Sequence, residues 1–279
     1  MSDDREPAPV DVSVLVPAKD EAENLPLLLQ LCDEAFRTRA ERYEVVVIDD
    51  GSTDATAEHV ADLPVTLIRH PRPMGKGAGL RDGFRLALTL EVDGVVTMDG
   101  DGQHLARDVP RLLAAARQHP DCIVIGARIR NREQQPAARR RANAVADWGI
   151  SWGAATPIAY SQSGQRYYPR AALRLADLHA EDFVFEAALL ITACRELRLG
   201  VVSVPIDSRY EPQFRRSHFR PIRDIARITG YTVGRIWRYG GILRAYRDAH
   251  GRPPCIVDPP QDAGAPRDGL PAHGAAAPR

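Results

Sequence analysis

Short, predominantly apolar runs punctuate the first half of the chain at Val12 to Val16, Val45 to Ile48, Val95 to Met98 and Cys122 to Gly126. Each run has the length and β-branched content of a strand buried on both faces. Between them the spacing changes to that of helices, with Leu25, Leu28, Leu29 and Leu31 forming one set and the stretch from about Asp108 to Gln118 another. Strands alternating with helices predict an α/β architecture. In such a sheet, ligands gather at the carboxyl ends of the strands.

The loops at those ends carry the candidate chemistry. After Val95 to Met98 comes Asp99-Gly100-Asp101-Gly102-Gln103-His104, two carboxylates and an amide oxygen that suit a hard cation, Mg²⁺ or Mn²⁺. The first run leads through Pro17-Ala18-Lys19-Asp20-Glu21 into a helix, and the second ends on Asp49-Asp50-Gly51-Ser52-Thr53-Asp54, where Ser52 or Thr53 is expected to cap a helix beginning near Asp54. A third loop, Pro73-Met74-Gly75-Lys76-Gly77-Ala78-Gly79, combines close backbone approach with one ammonium. Lys19 and Lys76 are the only lysines among 37 basic residues. A compact charge beside a diphosphate explains Lys76, whereas Lys19 reads as a surface residue.

Together these residues resemble family 2 of the inverting glycosyltransferases, and within it the polyprenyl- and dolichyl-phosphate sugar synthases, and the resemblance implies the GT-A fold, a mixed and mostly parallel sheet flanked by helices. The resemblance runs roughly from Asp11 to Ile206. It implies that Pro17, Ala18, Glu21, Asp49, Asp50 and Lys76 hold the nucleotide of a UDP- or GDP-sugar, with Asp99 and Gly100 beside it. It also implies that Asp99, Asp101 and Gln103 hold the metal and diphosphate. Further on, Gln162, Ser163, Gly164 and Arg166 match the acceptor-side motif of the family, but Tyr160 stands where the family usually has aspartate. In Arg215-Arg216-Ser217-His218, Arg216 and Ser217 resemble a basic loop that contacts the donor phosphates, with His218 in place of lysine.

A hydroxyl acceptor needs a carboxylate base, while a phosphate acceptor is already an anion. Asp182 resembles the Glu-Asp base of the family, and Glu186 is the second candidate, equally consistent with a helix-surface carboxylate paired with arginine. From Arg209 to Arg247 the composition shifts to ten arginines against two acids. There Ile222, Ile225, Ile228, Val233, Ile236 and Trp237 form one helical face and Arg223, Arg227, Arg235 and Arg238 the other, a pattern suited to an anionic membrane surface or to packing on the catalytic domain.

Composition sets the boundaries. The chain of 279 residues has 44% hydrophobic content, enough for a sizeable core, and zero formal net charge, which gives no reason to expect nucleic acid as a partner. Cys32, Cys122, Cys194 and Cys255 are scattered without a paired motif and read as reduced, buried thiols. The opening residues lack the basic start and apolar segment of a secretory signal, so a cytoplasmic protein is expected, peripheral on the inner membrane face. The expected organisation is a disordered N-terminus (1–9), a catalytic domain (10–208), a basic amphipathic helical segment (209–248) and a disordered tail rich in Pro, Gly and Ala (249–279).

The expectation is therefore a metal-dependent inverting glycosyltransferase moving a sugar from a UDP- or GDP-sugar to a lipid-linked or amphipathic acceptor at the membrane surface. The rivals are a nucleotidyltransferase and a catalytically weak nucleotide-sugar binder at the membrane surface. A dinucleotide-dependent oxidoreductase is disfavoured, because Gly75, Gly77, Gly79 and Gly83 neither form G-x-G-x-x-G nor follow the first strand.

Overall fold

The computed structural model describes residues 11–36, 42–100, 105–130, 135, 137–207 and 221–260. Within them an eight-stranded sheet runs in the order β3-β2-β1-β4-β6-β5-β7-β8. Its strands are β1 (Val12–Ala18), β2 (Tyr43–Asp49), β3 (Thr66–Arg69), β4 (Gly94–Thr97), β5 (Cys122–Ala127), β6 (Arg166–Pro169), β7 (Gly200–Pro205) and β8 (Cys255–Ile256). β6 alone is antiparallel to its neighbours, pairing Val95 with Tyr168 on one side and Val124 with Tyr167 on the other. Because β4 and β5 both run against β6, they are parallel to each other, and the mixed sheet that the family resemblance implies is present.

These runs fill two layers. Leu15, Val46, Ile48 and Val95 point to one face and pack with α3 (Lys76–Thr89), α5 (Ala137–Ala154), α6 (Arg170–Leu173) and α7 (Val184–Glu196). Val14, Val16, Val45, Val47 and Val96 point to the other, against α1 (Leu25–Phe36) and α4 (Val109–Gln118). Alternate residues of one strand thus enter different cores, which is why polar alternation is absent from these strands.

Register brings the loops together. Ala18 pairs with Asp49 and Leu15 with Thr97, so β1, β2 and β4 end at one edge. Asp50 N–H then donates to Ala18 O at 2.9 Å, and Gly100 packs so tightly on the Pro17 carbonyl that a Cβ would come within 3.1 Å of it.

Three expectations need correction. The helix after Asp54, α2 (Thr56–Val60), has Ala55 at its N-cap and no side-chain cap. Ser52 instead accepts from Asp20 N–H at 2.9 Å, so its hydroxyl ties the first loop to the second. The segment read as a tail from residue 249 starts in order: Cys255–Ile256 extend the sheet, and the fully buried Arg111 donates to Pro259 O at 3.0 Å, to Pro205 O at 2.7 Å and to Asp258 at 2.5 Å. Proline-rich composition did not reveal that a buried guanidinium upstream collects these carbonyls. Residues 261–279 lie outside the described residues, as do 1–10.

The third concerns the basic helical segment. It contains α8 (Pro221–Tyr239) and α9 (Ile242–His250), joined at Gly240-Gly241, both at left-handed φ. The inward stripe of α8 includes Asp224, Arg227, Ile228, Thr232, Arg235 and Ile236, whereas Ile225, Val233 and Trp237 are exposed. Arg227 and Arg235 are drawn inward by the carboxylates of Glu181, Asp182 and Glu196, so the apolar and basic stripes do not divide as the helical wheel suggested. Among the described residues no helix is long and apolar enough to cross a membrane.

Candidate active site

At the shared strand edge lies a cleft of about 510 Å³ lined by Pro17, Ala18, Lys19, Glu21, Asp50, Gly75, Lys76, Asp99, Gly100 and Asp182. Five of the predicted donor-side residues, Pro17, Ala18, Glu21, Asp50 and Lys76, meet there with Asp99 and Gly100, and Lys19, read as a surface residue, lines it too. Asp101, Gln103, Arg216 and Ser217 lie outside the described residues.

Lys76 occupies the centre. Its Nζ donates to Asp99 Oδ1 at 2.6 Å and lies 3.0 Å from Glu186 Oε2, with the Phe183 ring 5.8 Å away. Burial opposes its charge, but Asp99 and then Glu186 more than offset that cost and hold the ammonium above the ordinary lysine range. Glu186 is therefore a buried partner of Lys76, not the surface carboxylate its helical position also allowed. Gly164 packs against Asp99 from the other side, so close that a Cβ would approach its carboxylate to 2.3 Å.

Asp50 shapes the loop before α3. Its two oxygens accept from Met74 N–H at 2.7 Å and Gly75 N–H at 2.8 Å, while His70 Nδ1 lies 2.8 Å from Oδ1 and His70 Nε2 lies 3.1 Å from Asp82. His70 follows β3 directly, so the strand-end logic that selected Asp50 and Asp99 also reaches it, although it was not singled out. Asp49 takes no part in lining the cleft. It is fully buried, accepts from Ser52 N–H at 2.8 Å and sits 3.3 Å from Arg69 Nε.

Asp182 sits at φ 47, a strained value for a non-glycine residue, just ahead of α7. Arg227 of α8 holds its Oδ2 at 3.0 Å, and its Oδ1 fills the space where a Gly75 Cβ would stand. Only glycine permits that approach, since Gly75 itself has φ 90.

The acceptor-side motif forms the turn before β6. Arg166 is fully buried and donates to Ser163 O at 2.7 Å, Ser161 O at 2.6 Å and Tyr168 Oη at 3.0 Å. Burial disfavours its charge, yet Tyr168 and Glu186 keep its pKa above that of ordinary arginine. Its guanidinium thus shapes the turn from within, and Ser163 is buried beside it, leaving exposed Gln162 as the motif side chain turned to solvent. Tyr160, at φ 60, is also buried, and its hydroxyl accepts from Gln135 Nε2 at 2.9 Å. A carboxylate does serve this turn: Asp147 of α5 accepts from Tyr160 N–H at 2.9 Å and Ser161 N–H at 2.7 Å. Nothing in the local sequence around Asp147 marks it for that role.

Comparison with known proteins agrees with this arrangement. Residues 13–183 match the glycosyl transferase family 2 model. An undecaprenyl-phosphate 4-deoxy-4-formamido-L-arabinose transferase of Proteus mirabilis is 34% identical over 128 residues, 44% of this chain and 38% of that protein. The chain thus spans about two fifths of the length of that transferase. A dolichyl-phosphate beta-glucosyltransferase of Trichomonas vaginalis is 27% identical over 227 residues, 72% of this chain and 67% of the relative. Among solved structures, glucosyl-3-phosphoglycerate synthase from Mycobacterium tuberculosis, with Mn²⁺ and uridine diphosphate, superposes with a TM-score of 0.57 at 21% identity, covering 84% of this chain and 81% of that one. Mannosyl-3-phosphoglycerate synthase from Rubrobacter xylanophilus reaches 0.63 at 17% identity, with 82% and 73% covered. These likenesses establish the GT-A fold, and the family match over more than half its length establishes that the chain belongs to glycosyl transferase family 2.

Proposed function

We propose that this protein transfers a sugar from a UDP- or GDP-sugar, with inversion and with Mn²⁺ or Mg²⁺, to a lipid-linked phosphate acceptor at an anionic membrane surface. The observation that carries the reading is the ammonium of Lys76 held between Asp99 and Glu186 in a cleft at the ends of β1, β2 and β4. The names of the relatives, which act with undecaprenyl and dolichyl phosphates, support the acceptor class.

The donor set fits a hard cation. Asp99 turns a partly exposed carboxylate to the cleft, and Asp101 and Gln103 supply further oxygens in the sequence. When bound, the metal neutralises charge on the departing diphosphate. The chain's own groups do the rest. Lys76 places positive charge at the same wall, and Asp50 holds the Met74–Gly75 backbone in the conformation that presents it. Arg216 and Ser217 add donors toward the phosphates. Asp182 takes the proton if the acceptor is a hydroxyl, and a phosphate acceptor needs no such step. Exposed Trp237 and Leu243 beside arginines on α8 and α9 give the surface that meets lipid.

The test is sugar transfer, and donor hydrolysis, with Mn²⁺ for the wild type and Asp101→Ala, alongside calorimetry with UDP and GDP. Metal-dependent nucleotide binding and loss of turnover in the variant are expected. Full activity of Asp101→Ala would sink the metal assignment.

A further inference from the structure

A second cavity, of about 840 Å³, lies where β5 and β7 begin. Since β5 runs parallel to β4, this is the sheet edge opposite the candidate active site. The cavity is lined by Arg195, Arg198, Arg244, Arg252 and His119, against one carboxylate, Asp248. That imbalance stands out in a chain with no net charge.

The arginines are not spent on neighbours. Arg244 approaches Asp248 only to 3.7 Å, and among the described residues Arg195, Arg198 and Arg252 enter no ion pair. Glu196, the nearest acid on α7, is already taken by Arg235 at 2.8 Å and the Tyr239 hydroxyl at 2.6 Å. Arg195 lies over the Tyr239 ring at 4.7 Å, a stacking that orients the guanidinium and leaves its in-plane N–H donors available. Arg244 is carried on α9, which is fastened to α5: Trp152 Nε1 donates to Ile242 O at 3.1 Å, and the Trp152 ring meets Tyr246 at 5.2 Å. The donors therefore surround a preformed space from several elements, and their planar forks match tetrahedral oxyanions.

We propose that this cavity is a second binding site, separate from sugar transfer, for a phosphorylated, multiply charged ligand. Its volume lies in the range of small-molecule sites, larger than an isolated phosphate requires. The same chemistry is available from a soluble phosphate ester or from a lipid head group, because exposed Leu243, Trp148 and Tyr246 stand on the adjoining α9 and α5. All three tryptophans of the chain, Trp148, Trp152 and Trp237, lie on α5 and α8, the two helices packed around this corner, which gives an intrinsic optical probe.

The experiment titrates the full chain with inorganic pyrophosphate in the absence of divalent metal, following tryptophan fluorescence and heat. Vesicles of phosphatidylglycerol or phosphatidylcholine are tested in parallel. Arg244→Glu and Arg252→Glu replace exposed side chains, and far-UV circular dichroism and thermal melting of each variant are expected to match the wild type. Saturable pyrophosphate binding that weakens about tenfold or more in either variant, and survives in Lys76→Ala, is the expected result. Silence with pyrophosphate but phosphatidylglycerol binding that Arg252→Glu weakens assigns the site to a lipid head group, because Arg252 lies beyond α9 and outside the arginines of α8 and α9 that the proposed membrane surface uses. The proposal is overturned if neither probe binds, if charge reversal changes nothing, or if Lys76→Ala alone abolishes the signal. Because the divalent metal is left out and sugar transfer is not the readout, this result stands apart from the success or failure of the transferase reading.

Discussion

Gly164→Ala tests the candidate site at its tightest point. Gly164 is not among the glycines at left-handed φ, so alanine there strains no backbone. The new methyl carbon would instead stand 2.3 Å from Asp99 Oδ2, 2.6 Å from Oδ1 and 2.7 Å from Cγ. Ordinary contact begins near 3.4 Å, so the carboxylate must retreat by about 1 Å. It retreats against Lys76, which holds Oδ1 at 2.6 Å. A displacement of about 1 Å at a reacting centre costs roughly a hundredfold in rate. Overpacking at one loop contact costs about 1–3 kcal/mol of stability. The assay is kcat/KM for sugar transfer with Mn²⁺, beside nucleoside diphosphate affinity and urea denaturation. Gly149→Ala on α5, where a Cβ meets nothing within 4 Å, is the control and is expected to be neutral or stabilising by up to about 1 kcal/mol. Transfer by Gly164→Ala within about threefold of the wild type would refute the view that Asp99 anchors the donor.

Other perturbations follow from the same geometry. Lys76→Met leaves Asp99 and Glu186 facing each other without their cation and should destabilise by about 1–3 kcal/mol after allowing for partial exposure, with Glu186→Gln in the same chain restoring part of the loss; denaturation of the two variants checks the coupling. Arg111→Ala should cost about 3–5 kcal/mol and release the edge strand, seen as fast hydrogen exchange at Val257, whose N–H donates to Ser203 O. Burial pushes the Cys32 and Cys194 thiols up to about 12 from 9.0. Their contribution to stability is therefore complete below pH 9 and lost as pH rises toward 12, and denaturation midpoints measured across that window should fall less steeply in Cys32→Ala. Contrary to the expectation of four buried thiols, Cys122 is only half-buried and Cys255 is exposed, so in native protein a thiol reagent should reach Cys255 well before Cys32 or Cys194.

Much of this site was legible because strand ends announce themselves. Val95 to Met98 followed by Asp99, and Val45 to Ile48 followed by Asp49-Asp50, place carboxylates by periodicity alone, and register then brings them to one edge. What stayed hidden depends on partners distant along the chain. Asp49 and Asp50 are adjacent, yet one is consumed inside by Ser52 and Arg69 while its neighbour faces the cleft. The arginines of α8 divide between solvent and protein according to where Glu181, Asp182 and Glu196 sit, which a helical wheel of α8 cannot contain. Asp147 and Arg111 likewise act on segments 13 and 147 residues away.

The reversed direction of β6 has a consequence for how this enzyme family can diversify. An antiparallel strand begins where its parallel neighbours finish, so the turn from Tyr160 to Gln165 is delivered to the same rim as the loops leaving β1, β2 and β4. Segments far apart in the gene are thus adjacent in space at one rim of the cleft. Mutation can reshape one segment while the other is left untouched, with the Asp99–Gly164 contact as the seam between them.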